Sequence, residues 1–323
     1  MGLKPELAAF LQARSESGLP EVWQAPVSTI RKNLENRAIQ SGEPEKISEV
    51  VHRYIPGPTA DLPVRIYRPV KAAVLPALVF FHGGGWVLNN LDSYEQSMRS
   101  LANKGQFVVV AVNYQKAPEL PFPIPFDDCY ATLLWVAANS QSLGIEPTQI
   151  GVGGDSAGGN LASAVALKNR DTQLIDLAFQ LLIYPCNEIS MNYASAVDNA
   201  DNYGLTTKSM RWFWEQYLPN KADHTNPYAV PALASTHSKL PPSIVLAAQY
   251  DPLTDDARNY HQKLLDDGVM SFYKEYAGQI HGLFNLGGVT PDADLMYLDI
   301  ATQINSILGR SKIGRSKIGR SKN

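Results

Sequence analysis

Five short apolar runs constrain the fold of this chain more than any other feature: residues 77–81, 107–112, 150–152, 179–184 and 244–248. Each is short enough for a strand, and each is almost continuously apolar rather than alternating. Strands of this kind fit a parallel sheet that is covered on both faces by helices. Helical stretches separate the runs, at roughly 92–104, 127–140, 157–169 and 254–267. Strand and helix in alternation imply an α/β fold with right-handed crossovers. Upstream, residues 48–55 and 62–69 alternate apolar and polar side chains around Gly57 and Pro58, the pattern of an antiparallel pair.

Two segments fall outside the alternation. In residues 1–45, Leu3, Leu7, Phe10 and Leu11 recur at helical spacing, as do Ile30, Leu34, Arg37 and Ala38, while Pro5, Pro20 and Pro26 cut the segment into pieces. Residues 188–232 are polar and aromatic-rich, and too long for a plain connection between core strands. They are expected to form an inserted helical cap, which divides the core into residues 46–187 and 233–308. Trp212, Phe213, Trp214 and Tyr217 cluster in this insertion, either as its own core or as walls of a pocket; the sequence leaves both readings open.

Composition bounds the function. Hydrophobic residues at 45% and charged residues at 18% exclude a disordered or fibrous chain. The net charge of -3 hides a split. Residues 309–323 repeat GRSK and carry Arg310, Lys312, Arg315, Lys317, Arg320 and Lys322, leaving a body of 22 basic and 31 acidic residues, net -9. A body so acidic argues against nucleic acid as a partner. The repeat reads as an artefactual or disordered tail, with a polybasic arm as the alternative. The first residues carry no apolar targeting region, and no uncharged apolar run approaches the ~18 residues of a membrane span. Cys129 and Cys186 match neither a disulfide framework nor a metal motif. The expectation is a cytoplasmic protein without cofactor or metal, compatible with a homodimer.

Four stretches carry chemistry. Residues 154–158 read Gly-Asp-Ser-Ala-Gly, a G-x-S-x-G placed where a buried strand gives way to an Ala-rich helix. That context is the one a nucleophile elbow needs, with Ser156 lifted above the sheet and the amide of Ala157 aimed at a developing oxyanion. Residues 82–85 read His-Gly-Gly-Gly directly after the strand at 77–81. A bare glycine run leaves its amides open to a ligand, so Gly84 and Gly85 are candidate oxyanion donors. Gly83 and His82 would support that loop, and Asp155 the elbow.

In a fold of this order the acid and then the base follow the serine. Asp251 ends the run at 244–248, and Asp255 and Asp256 read as charges at the start of the next helix. Of the histidines, only His261 and His281 come late enough. His261 lies within a helical stretch, whereas His281 follows a strand at 272–276 in a loop flanked by Gly278 and Gly282. The triad expected from these residues is Ser156, Asp251 and His281.

With HGGG at 82–85, GDSAGGN at 154–160, YDPLTDD at 250–256 and QIHGLF at 279–284, the chain resembles the hormone-sensitive-lipase family of α/β-hydrolase esterases, in its GDSAG branch, over residues 45–300. The resemblance implies a mostly parallel eight-stranded sheet flanked by helices, a cap built from the N-terminal helices and the insertion, and carboxylesterase activity. It implies the same triad, and Gly84, Gly85 and Ala157 as oxyanion donors. Where the family usually has Glu, this chain has Asp256. The expected substrate is a small neutral ester of short to medium acyl chain, hydrolysed through an acyl-enzyme. An amidase or peptidase on the same triad, and a ligand-binding protein that has lost catalysis, are the rival readings.

Overall fold

A computed structural model of the chain describes residues 2–34 and 40–310. Eight strands form one sheet in the order β1-β2-β4-β3-β5-β6-β7-β8. β1 (Glu49–Ile55) and β2 (Leu62–Arg68) pair antiparallel, in register from Glu49 opposite Arg68 to Ile55 opposite Leu62. β2 pairs antiparallel with β4 (Val108–Val112). From there β3 (Leu75–Phe81), β5 (Ile145–Asp155), β6 (Gln180–Ile183), β7 (Ser243–Tyr250) and β8 (Ser271–Ile280) extend the sheet in parallel.

The apolar runs are buried on both faces for a period-two reason. On β3, Val79 and Phe81 point into one core with Leu133, Leu161 and Leu264, while Leu78 and Phe80 point into a second with Met98, Leu101 and Ile300. The first core lies under α4 (Ile124–Ala138), α5 (Ala157–Thr172) and α8 (Thr254–Asp266); the second lies under α3 (Glu95–Gly105) and α9 (Asp292–Ile307).

Two elements exceed what the sequence indicated. β5 runs beyond 150–152 at both ends: on the carboxyl side Gly153 and Gly154 erase the apolar signal, and on the amino side Glu146, Pro147, Thr148 and Gln149 are not buried and leave none; the space a side chain would take at 151 and 153 is filled by Phe179 and Leu181. Helix α9 is not among the helical stretches expected above, although Ala293, Met296, Tyr297, Ile300, Ala301 and Ile304 recur at helical spacing and are buried.

Parts of the two segments outside the alternation reach the carboxyl ends of the strands, where Phe10 and Arg14 of the first and Met210 and Phe213 of the second line the same space as Ser156 and His281. Among the first 45 residues, α1 (Pro5–Glu16) and α2 (Val27–Leu34) are helical. Leu7 of α1 packs with Ile280 and Leu286, and Lys4 forms an ion pair with Asp292. Arg31 of α2 grips Glu119 through two bonds of 2.7 and 2.8 Å. Arg37 and Ala38, and the repeat at 311–323, lie outside the described residues. The 188–232 stretch contains a short α6 (Ser195–Asp198) and the longer α7 (Thr207–Tyr217), which Thr206 caps by accepting the Ser209 amide. No helix among the described residues is long and apolar enough to cross a membrane.

Candidate active site

Strand order locates the site before any side chain is considered. After β3 the chain crosses to β4 on one side, and β5 then lies on the other. Connections leaving β3 and β5 therefore diverge, opening a crevice at their carboxyl ends. The 82–85 loop leaves β3 and Ser156 leaves β5, so the two stretches face each other across this crevice.

Ser156 sits in a left-handed conformation with φ 55° and ψ -121°, a strained geometry for a residue with a side chain. Its amide donates to the Ile183 carbonyl at 2.8 Å, fixing the turn to β6. Strand and helix close so tightly that a Cβ on Gly158 would stand 1.9 Å from the Phe81 carbonyl oxygen, and one on Gly154 would stand 2.3 Å from the Gly158 oxygen. This packing makes both glycines of the motif necessary.

The structure brings Ser156, His281 and Asp251 together. Asp251 ends the turn after β7 and is fully buried, and His281 follows β8 with its side chain 13% exposed. His281 Nδ1 lies 2.7 Å from Asp251 Oδ2, and Nε2 lies 2.9 Å from Ser156 Oγ. A carboxylate only accepts, so Nδ1 carries the proton and Nε2 is left to accept the Ser156 hydroxyl. The other carboxylate oxygen, Oδ1, accepts the Leu253 amide at 2.8 Å. His261 lies apart from this group, on α8, bonded to Ser271 at 2.7 Å.

The amides of Gly84 and Gly85 have no acceptor among the described residues, and Gly84 and Gly85 have φ of 117° and 60°. Ala157 opens α5, where no preceding turn supplies a carbonyl for its amide. Gly83 is held differently. Its amide donates to Asp155 Oδ1 at 2.8 Å and to Tyr94 Oη at 2.9 Å, and the Tyr94 hydroxyl donates to Asp155 Oδ2 at 2.8 Å. Burial pushes the Asp155 carboxyl up to about 6, against the pull of these two donors. The residue before Ser156 thus clamps the loop that faces it.

His82 anchors the other side of the loop. Its ring stacks on Tyr114 at 4.3 Å, and Nδ1 donates to the Gly83 carbonyl at 2.8 Å. Burial, reinforced by Lys116, pushes its pKa down to about 3. The folded state therefore keeps His82 neutral where the unfolded chain, with an ordinary imidazole, takes up a proton. Stability falls as pH drops below the unfolded value. His82→Asn keeps a donor near Nδ1 without the titration. Its stability, measured by urea unfolding, should drop less than that of the native protein between about pH 6.5 and about pH 4.5, by about 2 kcal/mol. Equal drops would refute this origin.

Sequence reasoning missed three contributors. Tyr94 carried no motif signal. Tyr184 packs its ring 4.6 Å from that of His281 and accepts the Phe284 amide at 3.1 Å. Asp256 lies in the first turn of α8, where the sequence places a helix-start charge, but it is buried. Its Oδ2 accepts the amides of Asn187 and Glu188 at 2.8 and 3.0 Å, and burial raises its carboxyl well above the usual range.

A cleft of about 220 Å³ opens onto Ser156 and His281. Phe10 and Arg14 of α1, and Met210 and Phe213 of α7, contribute to its walls. The aromatic cluster of α7 divides: Phe213 lines the cleft, whereas Trp214 and Tyr217 are buried against Trp86, at 4.5 and 4.3 Å between ring centres. Among the described residues no cluster of side chains could hold a metal ion.

Known proteins resemble this arrangement over most of its length. The family model described as an alpha/beta hydrolase fold matches residues 78–285. Carboxylesterase NlhH of Mycobacterium tuberculosis is 38% identical over 237 residues, 72% of this chain and 74% of that protein. Ethyl acetate hydrolase of Pseudomonas putida is 32% identical over 306 residues, 91% of this chain and 96% of that protein. Among solved structures, the hyperthermophilic esterase from the archaeon Pyrobaculum calidifontis superposes with a TM-score of 0.90 at 35% identity, covering 95% of this chain and 99% of that one.

Proposed function

The chain belongs to the hormone-sensitive-lipase family of α/β-hydrolase carboxylesterases and acts on carboxylic ester bonds, and from that premise we propose that it hydrolyses small neutral esters through an acyl-enzyme on Ser156. The observation that carries the mechanism is the unbroken relay from Asp251 through His281 to Ser156, with bonds of 2.7 and 2.9 Å, at the floor of the cleft. His281 takes the Ser156 proton as Oγ attacks the ester carbonyl. Asp251 keeps the imidazole in the required tautomer and stabilises its protonated form. The amides of Gly84, Gly85 and Ala157 receive the oxyanion, each such donor contributing about 3 kcal/mol to the transition state. His281 then protonates the leaving alcohol. Water, deprotonated by the same imidazole, releases the acid and restores Ser156. Asp155, Gly83 and His82 hold the donor loop in place.

Substrate size follows from the cleft. At about 220 Å³ it lies below the ~300–1,000 Å³ of pockets that take drug-sized ligands. In this reading, residues 1–45 and 188–232 together form a cap that supplies the walls. The net charge of -9 outside the tail disfavours anionic esters. A p-nitrophenyl ester series tests the proposal: butyrate or hexanoate should turn over faster than palmitate, and faster palmitate hydrolysis would reject it. Phe213 stands against Gly85 in this cleft, so Phe213→Ala should move the preferred acyl chain to a longer one. An unchanged optimum would remove Phe213 from the acyl wall.

A further inference from the structure

The stretch from Asn187 to Asn199 is bonded to the turn that carries Asp251. Asn199 Nδ2 donates to the carbonyls of Gln249 and Asp251, both at 3.2 Å. Ser195 Oγ donates to the Pro252 carbonyl at 2.9 Å and accepts the Asp255 amide at 3.0 Å. The Ser195 amide in turn donates to Asp255 Oδ2 at 2.8 Å. Asp256 holds the start of the same stretch through the amides of Asn187 and Glu188. Residues 249–256 are therefore fastened at five positions, 249, 251, 252, 255 and 256, to a segment remote in sequence.

Within the turn, the single Thr254 hydroxyl proton is shared between the carbonyls of Ala248 and Asp251, at 2.6 and 2.7 Å, so Asn199 is the side chain that commits an N–H to the Asp251 carbonyl. An amide spanning the carbonyls of 249 and 251 restrains the backbone on both sides of residue 250. The position of the Asp251 carboxylate depends on that backbone. The same segment also carries a wall of the cleft. Thr207, which opens α7, donates through Oγ1 to the Ala196 carbonyl at 2.6 Å and through its amide to Ala200 at 3.0 Å, and Phe213 lies further along α7.

We propose that Asn199 is a positioning residue for the catalytic acid, holding Asp251 in line with His281 from within the segment that walls the cleft. The inference rests on the triad reading above. It gives the 188–232 insertion a second role: besides covering the substrate, it holds part of the catalytic geometry. Asn199 is not among the residues that line the cleft, and its side chain bonds to backbone carbonyls rather than to the side chains of the triad.

The test compares Asn199→Ala and the isosteric Asn199→Asp with the unaltered protein, using p-nitrophenyl butyrate. Misplacing the acid should lower kcat by about 10- to 100-fold while KM stays within about twofold. Asn199→Asp should lose at least as much, because it sets an acceptor against two carbonyls. The downfield proton resonance of the His281 Nδ1–H bonded to Asp251 should shift or broaden in both variants; a purely structural role would leave it in place. The proposal is overturned if kcat is retained in folded Asn199→Asp, or if kcat falls with that resonance unmoved. Ser156→Ala, assayed in parallel, separates the two readings. Activity in Ser156→Ala would sink the triad itself; an inactive Ser156→Ala beside fully active Asn199 variants would sink only the role of Asn199.

Discussion

Ser156→Ala should lower p-nitrophenyl butyrate turnover by about 10⁶-fold and leave the fold intact. The size of the loss follows from the relay. His281 Nε2 accepts the Ser156 hydroxyl at 2.9 Å, and without Oγ there is neither an attacking atom nor a proton for the imidazole to take. The fold should survive because the elbow is held by backbone: the residue 156 amide still donates to the Ile183 carbonyl, and alanine adds nothing to a tightly packed turn. Residual hydrolysis above the uncatalysed rate should persist, since the amides of Gly84, Gly85 and Ala157 would still bind an oxyanion formed by attack of water. Steady-state kinetics beside a thermal unfolding curve measures both halves. A loss of only about tenfold would mean that another residue supplies the nucleophile.

Gly158→Ala should fail at an earlier stage, in folding. The added methyl would stand 1.9 Å from the Phe81 carbonyl oxygen and 2.6 Å from its carbon. Both are backbone atoms at the end of β3, so no side chain can rotate away. Relief requires α5 to move from the sheet or β3 to shift, and β3 leads directly into the loop of Gly84 and Gly85. Overpacking typically costs about 1–3 kcal/mol, and this site, with only backbone to yield, should lie at or above the upper end. Urea unfolding reads the loss, and any folded fraction should show reduced kcat because the loop has moved. A variant within about 1 kcal/mol of the native protein would show that the elbow is looser than its geometry implies.

Much of this architecture was legible because burial leaves a mark on composition. Strands covered on both faces read as apolar runs, and β3, β4, β6 and β7 lie where those runs fall. The elbow and the glycine loop were legible for a different reason: tight backbone approach tolerates only glycine, and Gly158 against Phe81 shows the constraint directly. What escaped was contact between distant segments. Nothing in the sequence near Tyr94 marks it as the partner of Asp155, because a tyrosine hydroxyl bonded to a carboxylate leaves no periodicity. Asp256 looked like a helix-start charge because helix starts favour acids whatever else they do; its bonds to Asn187 and Glu188 exist only once the insertion folds back. The aromatic cluster of α7 could not be apportioned from sequence. Helical spacing sends Phe213 toward Gly85 and Trp214 and Tyr217 toward Trp86, a division fixed only by where the helix docks.

The central claim, that Ser156 is a nucleophile activated by His281 and held in line by Asp251, is tested most directly by fluorophosphonate labelling followed by intact-mass and peptide-mass analysis. The account predicts one adduct per chain, on the peptide bearing Ser156, formed in step with loss of esterase activity and absent in Ser156→Ala. An adduct on another residue, or full loss of activity with Ser156 unmodified, would contradict it.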